Sequence, residues 1–297
     1  VKSSQAREGY VEVTGGRVWY RVAGGGSGIP LLTLHGGPGV PHDYLEPLER
    51  LGDERRVVFY DQLGCGRSDR PADNSLWRVE RYVEELAQVR AALGLARIHL
   101  LGQSWGTMLA TEYLLTRPHG VQSVIMANPA ISIPRFMADV TRLRNKLPEF
   151  ARTALESCSA AAGANDPAYQ VATLEFYRRH MCRLDPWPDA FNRSVAGMGM
   201  ESYEAMWGPN EFTATGVLKD FDRSARLVEI KLPMLFLAGR YDEATPESAA
   251  YYRSLAPDSE LVIFEKSSHM PQLEEPDRYL AVVRDFLNRA ERNRPAT

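Results

Sequence analysis

The 297-residue chain carries 35 basic and 38 acidic side chains, a net charge of −3, and 44% hydrophobic residues. That balance supports a large core and excludes a surface built on positive charge for nucleic acid or an anionic membrane. The three cysteines, Cys65, Cys158 and Cys182, are too few and too scattered for a disulfide framework, and they predict free thiols in a reducing compartment. A polar start over residues 1–8, without the apolar stretch of a leader, and no apolar run of roughly 18 residues make a cytoplasmic protein the expectation.

Residues 10–14 and 17–22 alternate in polarity around Gly15-Gly16 and predict a β-hairpin. Gly24-Gly25-Gly26-Ser27-Gly28 predicts a flexible loop without a phosphate-binding spacing. A strand over 30–34 runs into His35-Gly36-Gly37-Pro38-Gly39, and another over 56–60 runs into Asp61-Gln62-Leu63-Gly64-Cys65-Gly66-Arg67-Ser68-Asp69. The second loop is read as rigid, with Arg67 and Asp69 as an ion pair and Cys65 as an incidental thiol. Helical spacing of Leu76, Val79, Val83, Leu86, Val89 and Leu93 predicts a helix over 75–93 that Gly94 stops.

A buried strand over 98–101 follows, then Gly102-Gln103-Ser104-Trp105-Gly106, then a helix over 107–115 and a strand over 122–127 ending at Asn128-Pro129. From about 132 to 226 the pattern becomes helical, with segments at 134–145, 149–155 and 167–181, an Ala-rich linker at 159–164, and Trp187, Tyr203, Trp207 and Phe212 late in the stretch. Strands return at 231–239 and 260–264, and a final helix opens at Glu275-Pro276 with Tyr279, Val282, Val283 and Phe286 on its apolar face. Strands alternating with helices give a mostly parallel sheet covered on both faces. The expected organisation is a core of residues 1–131 and 227–297 with a helical cap, 132–226, inserted over it.

Strand, Gly-x-Ser-x-Gly, helix resembles the nucleophile elbow of the α/β-hydrolase fold, which implies a mostly parallel, eight-stranded sheet. The elbow holds Ser104 on a strained turn with its hydroxyl exposed, and it places the Trp105 N–H at a helix start, facing a developing oxyanion. The second oxyanion donor should come from the paired-glycine loop, and Gly37 is the choice; His35 is read as a structural brace of that loop. A serine needs a base, and the base needs an orienting acid. In this fold the chain order is serine, acid, histidine, which Ser104, Asp242 and His269 satisfy. The other usual place for the acid, after the strand ending at Ala127, holds uncharged Asn128. His180 with Cys182 lacks further ligands for a metal site, and neither a metal nor a cofactor is expected.

Taken together, His35-Gly36-Gly37-Pro38-Gly39, Asp61-Gln62-Leu63-Gly64-Cys65-Gly66, Gly102-Gln103-Ser104-Trp105-Gly106, Tyr241-Asp242-Glu243 and Gly208-Pro209-Asn210-Glu211-Phe212 resemble the proline iminopeptidase group of α/β-hydrolases, tricorn-interacting aminopeptidases included. The resemblance covers nearly the whole chain. It implies a serine exopeptidase that removes an N-terminal residue, often proline, or hydrolyses amino-acid amides. It also implies that Glu211 and Glu243 hold the substrate's free amine, since paired carboxylates offset the desolvation of an ammonium group. Trp207 departs from the group's pattern, which has a smaller polar residue before Gly208. The aromatic is expected to narrow the pocket or favour an apolar side chain, so free-amine recognition carries over further than proline itself.

The expected partner is therefore a peptide or amino-acid amide with a free N-terminal amine, with no nucleic acid or membrane involved and the oligomeric state open. The alternatives are an amidase or an aminoacyl-removing amide hydrolase of a biosynthetic pathway, an esterase, and a non-catalytic binding protein on the same fold.

Overall fold

The computed structural model describes residues 6–157 and 166–292. The Ala-rich linker at 159–164 and Cys158 lie outside the described residues. Among the described residues, seven strands form one sheet. An antiparallel hairpin, β1 (Arg7–Val13) with β2 (Gly16–Leu34), opens the chain. Next come β3 (Arg55–Tyr60), β4 (Ile98–Gln103), β5 (Val121–Ala127), β6 (Met234–Gly239) and β7 (Ser259–Phe264), and the end of β2 pairs parallel with β4, then β5, β6 and β7 in turn.

The count is seven rather than eight because β2 serves twice. Its first limb runs against β3, from Tyr20↔Tyr60 to Ala23↔Val57, and its last residues pair with the same strand again at Leu31↔Val57 and Leu32↔Val58. β3 therefore lies between two limbs of one long strand. The glycine run predicted as a flexible loop is the bulged bend between those limbs. There the amides of Gly25 and Gly26 donate to the Gly52 carbonyl at 3.0 and 3.2 Å, and that of Gly28 donates to Glu54 at 2.9 Å. A Cβ on Gly26 would stand 1.9 Å from a Glu54 backbone atom, so side chains are excluded by close approach.

Side chains alternate across the sheet. Leu32, Leu100, Val124 and Met234 pack on one face with α1 (Val79–Ala92) and α2 (Trp105–Leu115). Leu31, Leu101, Ile125 and Leu235 pack on the other with α10 (Pro276–Arg292) and the 3₁₀ turns of His42–Leu51. The helix expected over 75–93 begins later: Asn74–Leu76 is a separate 3₁₀ turn. The pair expected between Arg67 and Asp69 is not formed. Asp69 accepts from the Arg17 guanidinium at 3.2 Å, while Arg67 lies 4.3 Å over the Trp19 ring and reaches Glu8 at 3.5 Å.

Between β5 and β6 the chain forms α3 (Ile133–Arg144), α4 (Glu149–Ser157), α5 (Pro167–His180), α6 (Asp189–Ala196) and α7 (Met200–Met206). The last two are too short for periodicity to reveal. The chain enters and leaves this segment side by side, with Ile133 N–H donating to the Phe221 carbonyl at 2.8 Å and Ser132 Oγ to Asp222 at 2.8 Å. Two more helices, α8 (Pro246–Leu255) and α9 (Pro271–Glu274), follow β6 and β7. Among the described residues no helix is long and apolar enough to cross a membrane.

Helix α10 is locked to the sheet by charge. Glu291 pairs with the buried Arg55 guanidinium and takes a 3.2 Å hydrogen bond from His99, whose other ring nitrogen meets Ser123 at 2.7 Å. The His99 bond, then Arg55, hold the Glu291 carboxyl down at about 2. We predict that Glu291→Gln lowers stability at pH 7 by on the order of 2 kcal/mol, because it leaves a buried cation with weaker partners; the loss stays below that of a fully enclosed pair because the Glu291 side chain is 27% exposed. A depressed carboxylate contributes stability above its unfolded pKa and loses it as pH falls through the folded one. Urea unfolding should therefore show the gap between wild type and variant closing from about pH 4 to pH 2.

Candidate active site

Ser104 stands between β4 and α2 at φ 54°, ψ −121°. Neighbouring bonds impose this left-handed conformation: its N–H donates to Ala127 at 3.0 Å, and its carbonyl accepts from Thr107 N–H at 2.8 Å and the Thr107 hydroxyl at 2.6 Å. Strand and helix can close around it because a Cβ on Gly102 would lie 2.3 Å from the Gly106 carbonyl, and one on Gly106 would lie 2.1 Å from that of Leu34.

His269 and Asp242 arrive on the loops after β7 and β6, and both are buried. Nδ1 of His269 bonds Asp242 Oδ1 at 2.6 Å, which leaves Nε2 as the accepting nitrogen of the neutral ring. Asp242 is itself held by the Ala244 N–H at 2.8 Å and by Asn128 Nδ2 at 2.5 Å. Asn128, set aside in the sequence because it has no charge, thus braces the acid; its place at the end of β5 was the available signal. Backbone bonds hold the histidine loop: His269 N–H donates to the His180 carbonyl at 3.2 Å, and its carbonyl accepts from Gln103 Nε2 at 3.2 Å.

Gly37 lines the same cavity as Ser104 and His269, at φ +106°. The N–H of Gly36 is given to the Tyr44 hydroxyl at 2.7 Å, so of these two adjacent glycines Gly37 is the one whose amide has no acceptor among the described residues. Trp105 is the first residue of α2, where an N–H has no partner within the helix. His35 braces the loop as expected, its Nδ1 bonding the Gly36 carbonyl at 3.0 Å and its Nε2 taking the Gln62 N–H at 2.9 Å. Burial pushes the His35 ring down to about 4, so it stays neutral near pH 7.

The cavity, about 170 Å³, is also lined by Glu211 and Glu243. Glu243 is 1% exposed, and its Oε2 has no partner among the described residues. Glu211 accepts a 3.4 Å hydrogen bond from the Tyr203 hydroxyl. Burial, then the charges of Glu211 and Asp242, push the Glu243 carboxyl well above the usual range; burial also raises Glu211. An enclosed carboxyl and a half-buried one sharing a cavity with no cation form a site that a positive charge would relieve.

Trp207 does not line this cavity. It is buried, meets Phe136 edge-on at 5.5 Å between ring centroids, and donates its indole N–H to the Asn210 carbonyl at 3.0 Å. It therefore shapes the loop that carries Glu211 rather than the pocket wall. His180 bonds the Tyr241 carbonyl at 2.7 Å, and the Cys65 and Cys182 thiols are buried and pushed up by that burial. His42, Asp43 and Glu46 bring ligand atoms within 4.8 Å of one another, but His42 is bound to Asp61, and Arg193 pairs with both acids.

Residues 29–276 match the family described as alpha/beta hydrolase fold. A proline iminopeptidase of Heyndrickxia coagulans is 47% identical over 95% of this chain and 98% of its own length. The crystal structure of proline iminopeptidase from Mycobacterium smegmatis is 37% identical, covers 96% of this chain and 98% of its own, and superposes with a TM-score of 0.89. The chain belongs to the proline iminopeptidase family of α/β-hydrolases. A further match is the crystal structure of VinJ, 36% identical over 96% of this chain and 99% of its own, with a TM-score of 0.92. Like the proline iminopeptidases it matches over almost its whole length, the chain is a hydrolase.

The acidic pair yields a stability prediction. A carboxylate whose folded pKa is raised binds more protons folded than unfolded, so stability falls as pH rises above the unfolded value of about 4.3. Glu243→Gln removes that penalty. In ligand-free protein the variant should melt above wild type at pH 8, with a smaller margin at pH 5; differential scanning calorimetry at the two values checks this.

Proposed function

We propose that the chain is a serine exopeptidase that releases an N-terminal residue, proline or a small apolar one, from peptides or amides through an acyl-enzyme. The observation that carries this is one cavity holding Ser104 together with a buried Glu243 and a half-buried Glu211, with no cation paired to either among the described residues. A free N-terminal ammonium supplies the missing charge, and an N-acylated substrate would leave both carboxylates unanswered.

In this reading residues 132–226 act as a cap that brings Glu211 over a core holding the rest. With the ammonium between Glu211 and Glu243, the scissile carbonyl reaches Ser104. His269, oriented by Asp242, takes the Ser104 proton as Oγ attacks. The Gly37 and Trp105 N–H groups receive the oxyanion, and His269 returns the proton to the departing amine. Water, deprotonated by His269, then attacks the acyl-enzyme, freeing the amino acid and Ser104.

Paired hydrolysis of prolyl, alanyl and N-acetyl-prolyl p-nitroanilides, with prolinamide alongside, tests the reading. Cleavage of the free-amine anilides but not the acetylated one is expected; equal cleavage of all three would overturn amine recognition, and activity confined to prolinamide would make the chain an amidase. Ser104→Ala should lower kcat by more than ~10⁴-fold. Glu211→Gln should lower kcat/KM on free-amine substrates at least tens-fold, since hydrogen bonds to charged groups contribute about 1.5–3 kcal/mol, while leaving neutral ester hydrolysis in place.

A further inference from the structure

The loop carrying Gly37 is tied down peptide by peptide. In the His35–Gly36 peptide the carbonyl accepts from Gln62 Nε2 at 3.1 Å and the N–H donates to Tyr44 at 2.7 Å. In the next peptide, which is trans, the Gly36 carbonyl meets His35 Nδ1 at 3.0 Å and the Val40 N–H at 3.4 Å. A trans peptide points its N–H opposite to its C=O, so the Gly37 N–H is aimed away from the His35 ring. The ring's role depends on Gln62 again. Because the Gln62 N–H donates to Nε2 at 2.9 Å, the proton of the neutral ring sits on Nδ1, where it can donate to Gly36.

The same Gln62 side chain reaches the other oxyanion donor. Its Oε1 accepts the indole N–H of Trp105 at 2.8 Å, and Trp105 contributes the backbone N–H at the start of α2. Gln62 is 1% exposed, and both residues it joins are fully enclosed. Its side-chain oxygen and nitrogen are thus each spent on one limb of the oxyanion hole, and it does not itself line the cavity.

We propose that Gln62 is a positioning residue that holds the Gly37 and Trp105 N–H groups in register for the tetrahedral intermediate. The proposal rests on reading those two groups as the oxyanion donors. Both must meet one oxygen at hydrogen-bond distance at once, and a bridge between their supports fixes that spacing before substrate arrives. Ground-state binding through Glu211 and Glu243 does not use the bridge, so its loss should appear in the chemical step.

The test uses full-length protein titrated for active Ser104 with a fluorophosphonate, prolyl p-nitroanilide as substrate, and pyrrolidine-2-boronic acid, which forms a tetrahedral anionic adduct on a serine. Gln62→Met keeps the side-chain length and removes both bonds; Trp105→Phe removes the indole donor alone. For Gln62→Met, kcat per active site should fall about ten- to a hundredfold, with the boronate Ki rising in proportion and KM moving less than about threefold. Trp105→Phe should shift kcat and Ki in the same direction, and the double variant should be no more than about threefold worse than the more impaired single one, because the Gln62–Trp105 bond is already lost in each. A Gln62→Met protein with kcat and Ki within threefold of wild type, or with its loss confined to KM, overturns the proposal; if that variant does not fold, Trp105→Phe decides by the same criteria. Wild-type protein that binds the boronate no more tightly than proline overturns the reading of the donors, and the proposal with it.

Discussion

A serine at φ 54° is held where few side chains rest, and the site is arranged around that held position. Strain of this kind persists only when the surroundings over-determine it. Here the Ala127 carbonyl takes the Ser104 N–H, Thr107 holds its carbonyl from two directions, and two glycines let β4, α2 and the end of β2 approach within distances that a Cβ would forbid. Because β4 is central in the sheet, its end faces the ends of β2, β5 and β6, and the loops from those strands reach the serine without long excursions.

The second organising feature is a charge imbalance kept in a closed space. Glu243 is buried beside Asp242 and shares a cavity with Glu211, and no described cation answers the pair. Ionising both carboxyls in such a space works against the folded state. In the proposed function that cost becomes selectivity, because an entering ammonium would relieve the repulsion. The loop bearing Glu211 is steadied by Trp207 through its indole bond to Asn210, so an aromatic that looked like a pocket wall serves as a support.

Around both features runs a layer of uncharged amide side chains, of which Gln103 also lines the cavity. Gln62 joins His35 to Trp105, Gln103 joins Tyr44 to the His269 carbonyl, and Asn128 holds Asp242. Such groups can donate and accept at once, which suits them to linking loops from different strands in a dry interior.

What was legible in the sequence was whatever has a local signature. The elbow's spacing, the paired glycines, the serine–acid–histidine order and the apolar alternation of the strands are patterns within a few residues or a fixed chain order, and they led to the fold and to a short set of candidate residues. The doubled use of β2 was hidden, because a glycine run reads as a loop until Gly52 and Glu54, 26 or 27 residues downstream of their partners, are seen to bond with it. Arg67 and Asp69 look like partners two residues apart, yet Trp19, Glu8 and Arg17 lie nearer in space. The links of Asn128 to Asp242 and of Gln103 to His269 span 114 and 166 residues, so no periodicity or spacing encodes them. Residue type and local backbone demands are enough to point to a serine hydrolase, because both are written within a few residues. Which uncharged side chains brace the candidate residues depends on folding, since a hydrogen bond of 3 Å between distant segments exists only after the sheet has brought its strand ends together.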